Sequence, residues 1–321
     1  MSVTAEQLAA FQRDFHGVAD NVEQVILGKR HVVELVLIAM ISEGHVLLED
    51  VPGTGKTSLA RAVAQSVQGT NTRIQFTPDL LPGDVTGITV YDQKTGDFEF
   101  HAGPVFANVV LADEINRASP KTQSALLEVM SEGRVTVDGV TREVGRPFLV
   151  IATQNPVEQA GTYRLPEAQL DRFMLKTALG YPDRAATVQI FEGSVRTRND
   201  VAPVMTRQRI SAMTELTSQV YVDPLIYDYI ARIIDATRDA EQVRLGASVR
   251  AGMALTRAVR TRALTQGRDF VVPDDVKLLA EPVLSHRLIL HPEAEFDGIS
   301  AEAIIGQVVL AVSPPSQPVT Q

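Results

Sequence analysis

Apolar positions recur at helical spacing from Thr4 to about Leu27, stop at Gly28 and resume from about Lys29 to Ser42, which predicts two successive helices. The period then changes. His45-Val46-Leu47-Leu48-Glu49 is a short apolar run that opens into Asp50-Val51-Pro52-Gly53-Thr54-Gly55-Lys56-Thr57, and Ser58 to Gln68 returns to helical spacing. Strand, glycine loop and helix are predicted in that order. Val109 to Ala112 and Phe148 to Thr153 are further apolar runs followed by polar turns, the pattern of parallel strands buried on both faces. A doubly wound α/β sheet accounts for all of them.

Two stretches break this rhythm. Ile88 to Tyr91 and Phe98 to Phe100 flank Lys94-Thr95-Gly96, while Arg134 to Val137 and Val140 to Val144 flank Asp138-Gly139, so two β-hairpins are predicted as insertions. Beyond about Pro182 helical patterns dominate, at Val204 to Gln219, Pro224 to Thr237, Val249 to Gln266 and Pro273 to Leu284. The expected organisation is an α/β domain over residues 1–190, a small all-helical domain over 191–312 and a disordered, proline-rich tail over 313–321.

Composition narrows the possible functions. Hydrophobic residues make up 45% and charged residues 21% of 321 positions, as in a soluble chain able to fill two cores. Thirty Lys plus Arg against 39 Asp plus Glu give a net charge of −9, which repels polyanions and disfavours non-specific nucleic-acid binding. The absence of cysteine excludes disulfides, thiolate metal sites and cysteine nucleophiles. The first twenty residues lack the basic start and apolar core of a signal peptide. The best membrane candidate, Val32 to Ile41, contains Glu34 and is far too short to span a bilayer, so a cytoplasmic location is expected. The six histidines are scattered and fit ordinary surface or core roles.

The chemistry concentrates at three strand ends. In Pro52-Gly53-Thr54-Gly55-Lys56-Thr57 the glycines let backbone N–H groups turn around phosphate oxygens. The following helix presents its positive end, Lys56 reaches the β- and γ-phosphates, and the Thr57 hydroxyl ligates magnesium. Asp50 stands where such loops usually carry their first glycine; either it adopts left-handed geometry, which Asp tolerates, or the loop begins differently. Val109-Val110-Leu111-Ala112-Asp113-Glu114 ends an apolar strand in two carboxylates. Beside a phosphate loop, Asp113 can hold the magnesium shell and Glu114 can polarise the attacking water; alone, the pair would be a strand end and a helix cap. The run Leu149 to Thr153 ends in Gln154-Asn155-Pro156, where Asn155 either contacts the water or the γ-phosphate or belongs to a plain turn.

These residues resemble a known family. Leu47 to Thr57, Ala112-Asp113-Glu114-Ile115-Asn116-Arg117-Ala118 with Pro120 to Glu128, Ala152 to Pro156, Leu165 to Phe173 and Gly246-Ala247-Ser248-Val249-Arg250 are together similar to the MoxR-type AAA+ ATPases. The similarity covers most of residues 26–260. It implies an AAA+ P-loop αβα domain with inserted hairpins and an all-helical lid. It further implies that Asn155 is sensor 1, that Arg172 is an arginine finger acting on a neighbour's ATP, and that Arg250 is sensor 2, serving either its own nucleotide or the adjacent one. An arginine suits that task because a fixed guanidinium neutralises charge on the transferring phosphoryl group; the alternative is that Arg172 simply pairs with Asp171 or Glu167 on the surface. Ile26-Leu27-Gly28 resembles the segment that packs near adenine. The expected nucleotide-binding set is thus Gly28, Asp50, Pro52, Gly53, Thr54, Gly55, Lys56, Thr57, Ser58 and Arg250, with Thr57 and Asp113 for magnesium.

The hairpins match the family's helix-2 insert, about 85–103, and pre-sensor-1 hairpin, about 131–147, and Lys94, Arg134, Asp138 and Arg142 are candidate partner contacts or simply solvated edges. The resemblance implies a homo-hexameric, chaperone-like ATPase that remodels a partner protein bearing a von Willebrand factor A domain. Three alternatives share the core: a nucleic-acid motor, disfavoured by the acidic balance and the absence of a separate DNA-binding domain; a metal-chelatase motor subunit; and a nucleotide-gated scaffold with little turnover.

Overall fold

The computed structural model describes residues 3–51, 53–155, 163, 165–192 and 201–315. Pro52, Pro156 and the tail beyond 315 lie outside the described residues. The chain forms two compact units, one from residues 17–173 and 177–211, the other from 1–16, 174–176 and 212–321.

Helices α1 (Ala5–Glu23) and α2 (Arg30–Ile41) lead into β1 (Val46–Glu49), α3 (Lys56–Ser66) and β2 (Asn71–Gln75). The short α4 (Pro82–Thr86) precedes a hairpin of β3 (Gly87–Asp92) and β4 (Asp97–Ala102). Next come β5 (Val109–Asp113), α5 (Pro120–Glu132), a second hairpin of β6 (Arg134–Val137) and β7 (Val140–Glu143), then β8 (Leu149–Gln154), α6 (Glu167–Leu170), β9 (Leu175–Thr177) and α7 (Arg184–Phe191). The central sheet has the order β2-β5-β8-β1-β9, with parallel pairing of β2 to β5, β5 to β8 and β8 to β1. Every residue of β5 is buried, as its unbroken apolar run requires. The outer strand β2 is mostly exposed, with Ile74 alone fully inside.

Polar side chains set the strand starts. The Asn108 carboxamide accepts the Thr70 N–H at 3.0 Å and donates to the Pro147 carbonyl at 2.9 Å, tying the entries of β2, β5 and β8 together. Buried His45 accepts the Val150 N–H on Nδ1 at 3.0 Å and donates from Nε2 to the Met130 carbonyl at 2.9 Å. It is the core histidine expected of an isolated one. In the first hairpin Gly87 has φ +96°, and a Cβ there would lie 2.4 Å from the His101 carbonyl oxygen, so only glycine fits. In the second, Asp138 and Gly139 both have positive φ, as a two-residue type I′ turn demands. The two hairpins meet where the Arg142 guanidinium stacks 3.8 Å over the Phe100 ring.

The other unit is mainly helical: the end of α8 (Arg207–Thr217), α9 (Pro224–Asp239), α10 (Val249–Thr265), α11 (Pro273–Leu284), α12 (Pro292–Phe296) and α13 (Ala301–Ala311), with a short antiparallel pair β10 (Val243–Leu245) and β11 (Ile289–Leu290). Sequence-encoded caps start two of its longer helices: Asp223 accepts the Leu225 N–H before Pro224 opens α9, and Ser248 accepts the Ala251 N–H at α10. Among the described residues no helix is long and apolar enough to cross a membrane.

Candidate active site

β1 delivers the chain to the phosphate loop, whose left-handed bends fall on Gly53 (φ +85°) and Gly55 (φ +95°). Gly55 is also the residue from which α3 starts, and no side chain caps that end. The first N–H groups of the helix, those of Lys56, Thr57 and Ser58, have no acceptor within the helix itself, and the positive end of the helix dipole lies at the loop. Lys56 folds back along the loop, its Nζ donating to the carbonyls of Asp50 at 3.2 Å and Val51 at 3.0 Å. Thr54 hydroxyl donates to Val51 carbonyl at 3.4 Å.

Asp50 settles the question its position raised. It is not among the residues with positive φ, so it does not replace a left-handed glycine. Its buried carboxylate instead accepts the N–H groups of Leu179 at 2.7 Å and Gly180 at 3.0 Å, and its own N–H donates to the Gln154 carbonyl. The loop therefore starts differently, with a carboxylate brace to the segment after β9. That brace also brings up apolar side chains: a Cβ on Gly55 would lie 3.7 Å from Leu179 and 3.9 Å from Ile26. Gly28 (φ +67°) turns the chain just beyond Ile26, and Lys29 donates to the Tyr181 carbonyl at 2.7 Å.

Register brings the other two motifs to the same edge. Gln75 lies opposite Asp113, Ala112 opposite Ala152, and Gln154 opposite Glu49, so the carboxyl ends of β2, β5, β8 and β1 form one row. Asp113 Oδ1 accepts the Thr153 hydroxyl at 2.6 Å, and Oδ2 accepts Arg73 Nη2 at 2.7 Å and Nε at 3.2 Å. Glu114 takes the first position beyond β5 with φ 55° and ψ 50°, a conformation that costs a glutamate energy and is held only by its surroundings. Its N–H donates to Thr153 Oγ1 at 2.9 Å, and its Oε2 accepts Gln75 Nε2 at 3.0 Å and Arg117 Nη1 at 2.8 Å. The Thr153 hydroxyl thus receives one hydrogen bond and gives another, which fixes its orientation and ties both carboxylate residues to β8. Asn155, buried, follows directly on β8. No role falls to Arg73, Gln75, Arg117 or Thr153 from the sequence; each matters by its neighbour across a strand or turn.

Two arginines remain. The Arg172 guanidinium donates to the Leu127 carbonyl at 2.8 Å and to the Ser131 hydroxyl, both on α5 of its own chain. Arg250 is exposed in the first turn of α10, in the other unit.

This arrangement suits a nucleoside triphosphate with a divalent cation. The loop offers backbone donors and an ammonium, Ile26 and Leu179 offer an apolar wall, and the Asp113 carboxylate already draws a cation to itself in the form of Arg73. A phosphate loop after the first strand, paired acids at the end of the strand next but one in the sheet and an α/β sheet with a helical unit define an AAA ATPase. Residues 45–175 match the ATPase family associated with various cellular activities (AAA), and residues 235–308 match the AAA lid domain. The chain belongs, more narrowly, to the MoxR-type AAA+ ATPases, chaperone-like members of that class. It is 43% identical to Chaperone MoxR1 of Mycobacterium tuberculosis over 97% of this chain and 85% of that one. It is also 48% identical to the uncharacterized protein YeaC of Bacillus subtilis over 96% and 98% of the two chains. A crystal structure from Cytophaga hutchinsonii, provisionally assigned as an ATPase, superposes with a TM-score of 0.89 at 39% identity, covering 97% of this chain and 98% of that one.

Proposed function

We propose that the chain hydrolyses ATP to ADP and phosphate with magnesium, within a homo-hexameric ring, and uses the cycle to remodel, mature or activate a partner protein carrying a von Willebrand factor A domain. The observation that carries the catalytic part is the row at the carboxyl edge of the sheet, where Asp113 and Glu114 at the end of β5 and Thr153 and Asn155 at the end of β8 stand on adjacent strands beside the Lys56 loop.

In this reading Lys56 exchanges its two loop carbonyls for the terminal phosphates, the stronger acceptors. Gly53, Thr54, Gly55, Ser58 and the start of α3 hold the phosphates through the backbone, Asp50 keeps the loop in shape, and Ile26 to Gly28 with Leu179 face the base. Thr57 and Asp113 would hold magnesium, which when bound neutralises phosphate charge. Glu114 takes the proton of the attacking water, Asn155 orients that water or reads the γ-phosphate, and Arg172 completes a neighbour's site. Arg250 contacts nucleotide in its own subunit or the adjacent one.

A Glu114→Gln trap tests the whole reading. The amide keeps the shape and loses the base, so the variant is expected to bind ATP, fail to turn it over and retain a partner in pull-downs with ATP. A Lys56→Ala control should retain neither. Retention of the same proteins by both variants, or turnover by Glu114→Gln at the parental rate, would reject it.

A further inference from the structure

Gln123 lies in the first turn of α5 and is 0% exposed. Its Nε2 donates toward three backbone carbonyls, those of Ile115 at 3.1 Å, Ala118 at 3.2 Å and Tyr163 at 3.4 Å. Tyr163 is held from its other side as well, its N–H donating to the Asn116 carbonyl at 2.7 Å. An amide nitrogen carries two hydrogens, so three acceptors share two donors. The Gln123 amide oxygen meets no hydrogen-bond donor among the described residues. Rotating the amide would turn that oxygen onto three carbonyl oxygens, so repulsion and attraction fix the same orientation. A methionine of similar shape would remove the unsatisfied acceptor. What it could not do is hold the three carbonyls.

Those carbonyls belong to the turn directly after Glu114 and to the one described residue between Asn155 and Leu165. Residues Ile115–Arg117 form a single 3-10 turn, and upstream of it Glu114 sits in left-handed backbone. Such a conformation persists only where neighbours over-determine it. The Thr153 hydroxyl holds it from the strand side through the Glu114 N–H. From the helix side the turn is held by the Gln123 amide. We infer that Gln123 is a positioning residue for hydrolysis: by locking the 115–118 turn it keeps the Glu114 carboxylate at the sheet edge. This rests on reading Glu114 as the base. α5 also carries the Leu127 carbonyl and Ser131 hydroxyl that bind Arg172, so the helix that positions Glu114 is the one on which the candidate finger rests.

The test uses the full-length chain in its assembled state. Gln123→Met is expected to lower kcat about 10- to 100-fold, the scale of a misplacement of about 1 Å at a reacting group, with KM and ATP affinity within about twofold of the parent. In a Glu114→Gln background, where no turnover is left to compare, the same change should leave ATP affinity and assembly as they are, because Gln123 acts through Glu114. If Gln123→Met does not fold, Gln123→Asn keeps the donors but withdraws them by one methylene, and the same split with a smaller kcat loss is expected. Undiminished kcat in a folded variant, kcat and ATP affinity falling together, or a loss of ATP affinity in the Glu114→Gln background would each overturn the proposal and leave Glu114 untouched. Parental turnover by Glu114→Gln alone would overturn the reading of Glu114, and this inference with it.

Discussion

Thr153 is the residue on which the two acidic positions depend, since its buried hydroxyl both accepts the Glu114 N–H and donates to Asp113. Thr153→Val keeps the shape and removes both bonds, leaving a buried N–H and a carboxylate oxygen each short of a partner. We expect a stability loss of about 1–3 kcal/mol in denaturant unfolding and a fall in turnover with ATP affinity retained. Thr153→Ser should restore most of both; equal turnover in the valine and serine variants would refute the role. At this scale the sequence shows some residues and hides others for a physical reason. Lys56, Thr57, Asp113 and Glu114 stand out as candidates because the motifs that suggest their chemistry are made of neighbours in the chain. Thr153, Arg73 and Gln75 gain theirs from hydrogen bonds across the sheet, which no spacing along the chain reveals. Asp50 lies between the two cases: its oddity in a glycine position is visible, whereas its partners Leu179 and Gly180 lie far along the chain.

Elements were legible in proportion to how apolar they are. The buried strands β1, β5 and β8 and the helices α9 to α11 follow from their periodicity, and the Asp138-Gly139 hairpin follows from its turn. β2 does not, because an edge strand reading Asn-Thr-Arg-Ile-Gln buries a single apolar residue. β9 and β10 are three residues long, too short for a period to show. Such short elements can still contribute stability, and pH tests one of them. Glu302 in the first turn of α13 pairs with Lys176 of β9 at 3.0 Å. Burial pushes its carboxyl up, but the hydrogen bond from its own backbone, the Lys176 ammonium and the Ser300 hydroxyl together hold it below the usual carboxylate range. A carboxyl with a lowered folded value contributes stability that is present above its unfolded value and lost as pH falls through the folded one. Lys176→Met should therefore melt below the parent at neutral pH, and the gap should close as pH drops from about 6 to about 3. A gap independent of pH would mean that Lys176 contributes through packing alone.

For the whole molecule, the sequence indicates an α/β unit and a helical one, and the family follows from motifs spread over both. The partner does not, because the hairpins display exposed side chains such as Phe98 and Tyr91 without a motif that names what they touch. Whether one subunit completes another's site can nevertheless be decided from residues in hand. In the single chain Nη1 of the Arg172 guanidinium is held by α5. Acting on a neighbour's γ-phosphate requires it to leave those bonds, which a multiply charged phosphate in a water-poor interface can offset. Arg172→Ala should then bind ATP nearly normally and hydrolyse it about 10³-fold or more slowly, the scale expected of a transition-state arginine. Mixing it with Glu114→Gln, which lacks the base but still donates its own finger, creates some interfaces that hold both intact groups. Turnover in the mixture should exceed the sum of the two variants alone, rise and fall with their ratio, and vanish when either is added as a monomer that cannot assemble. A mixture as inactive as its components, with co-assembly confirmed by sizing, would place Arg172 within its own chain as the clamp on α5.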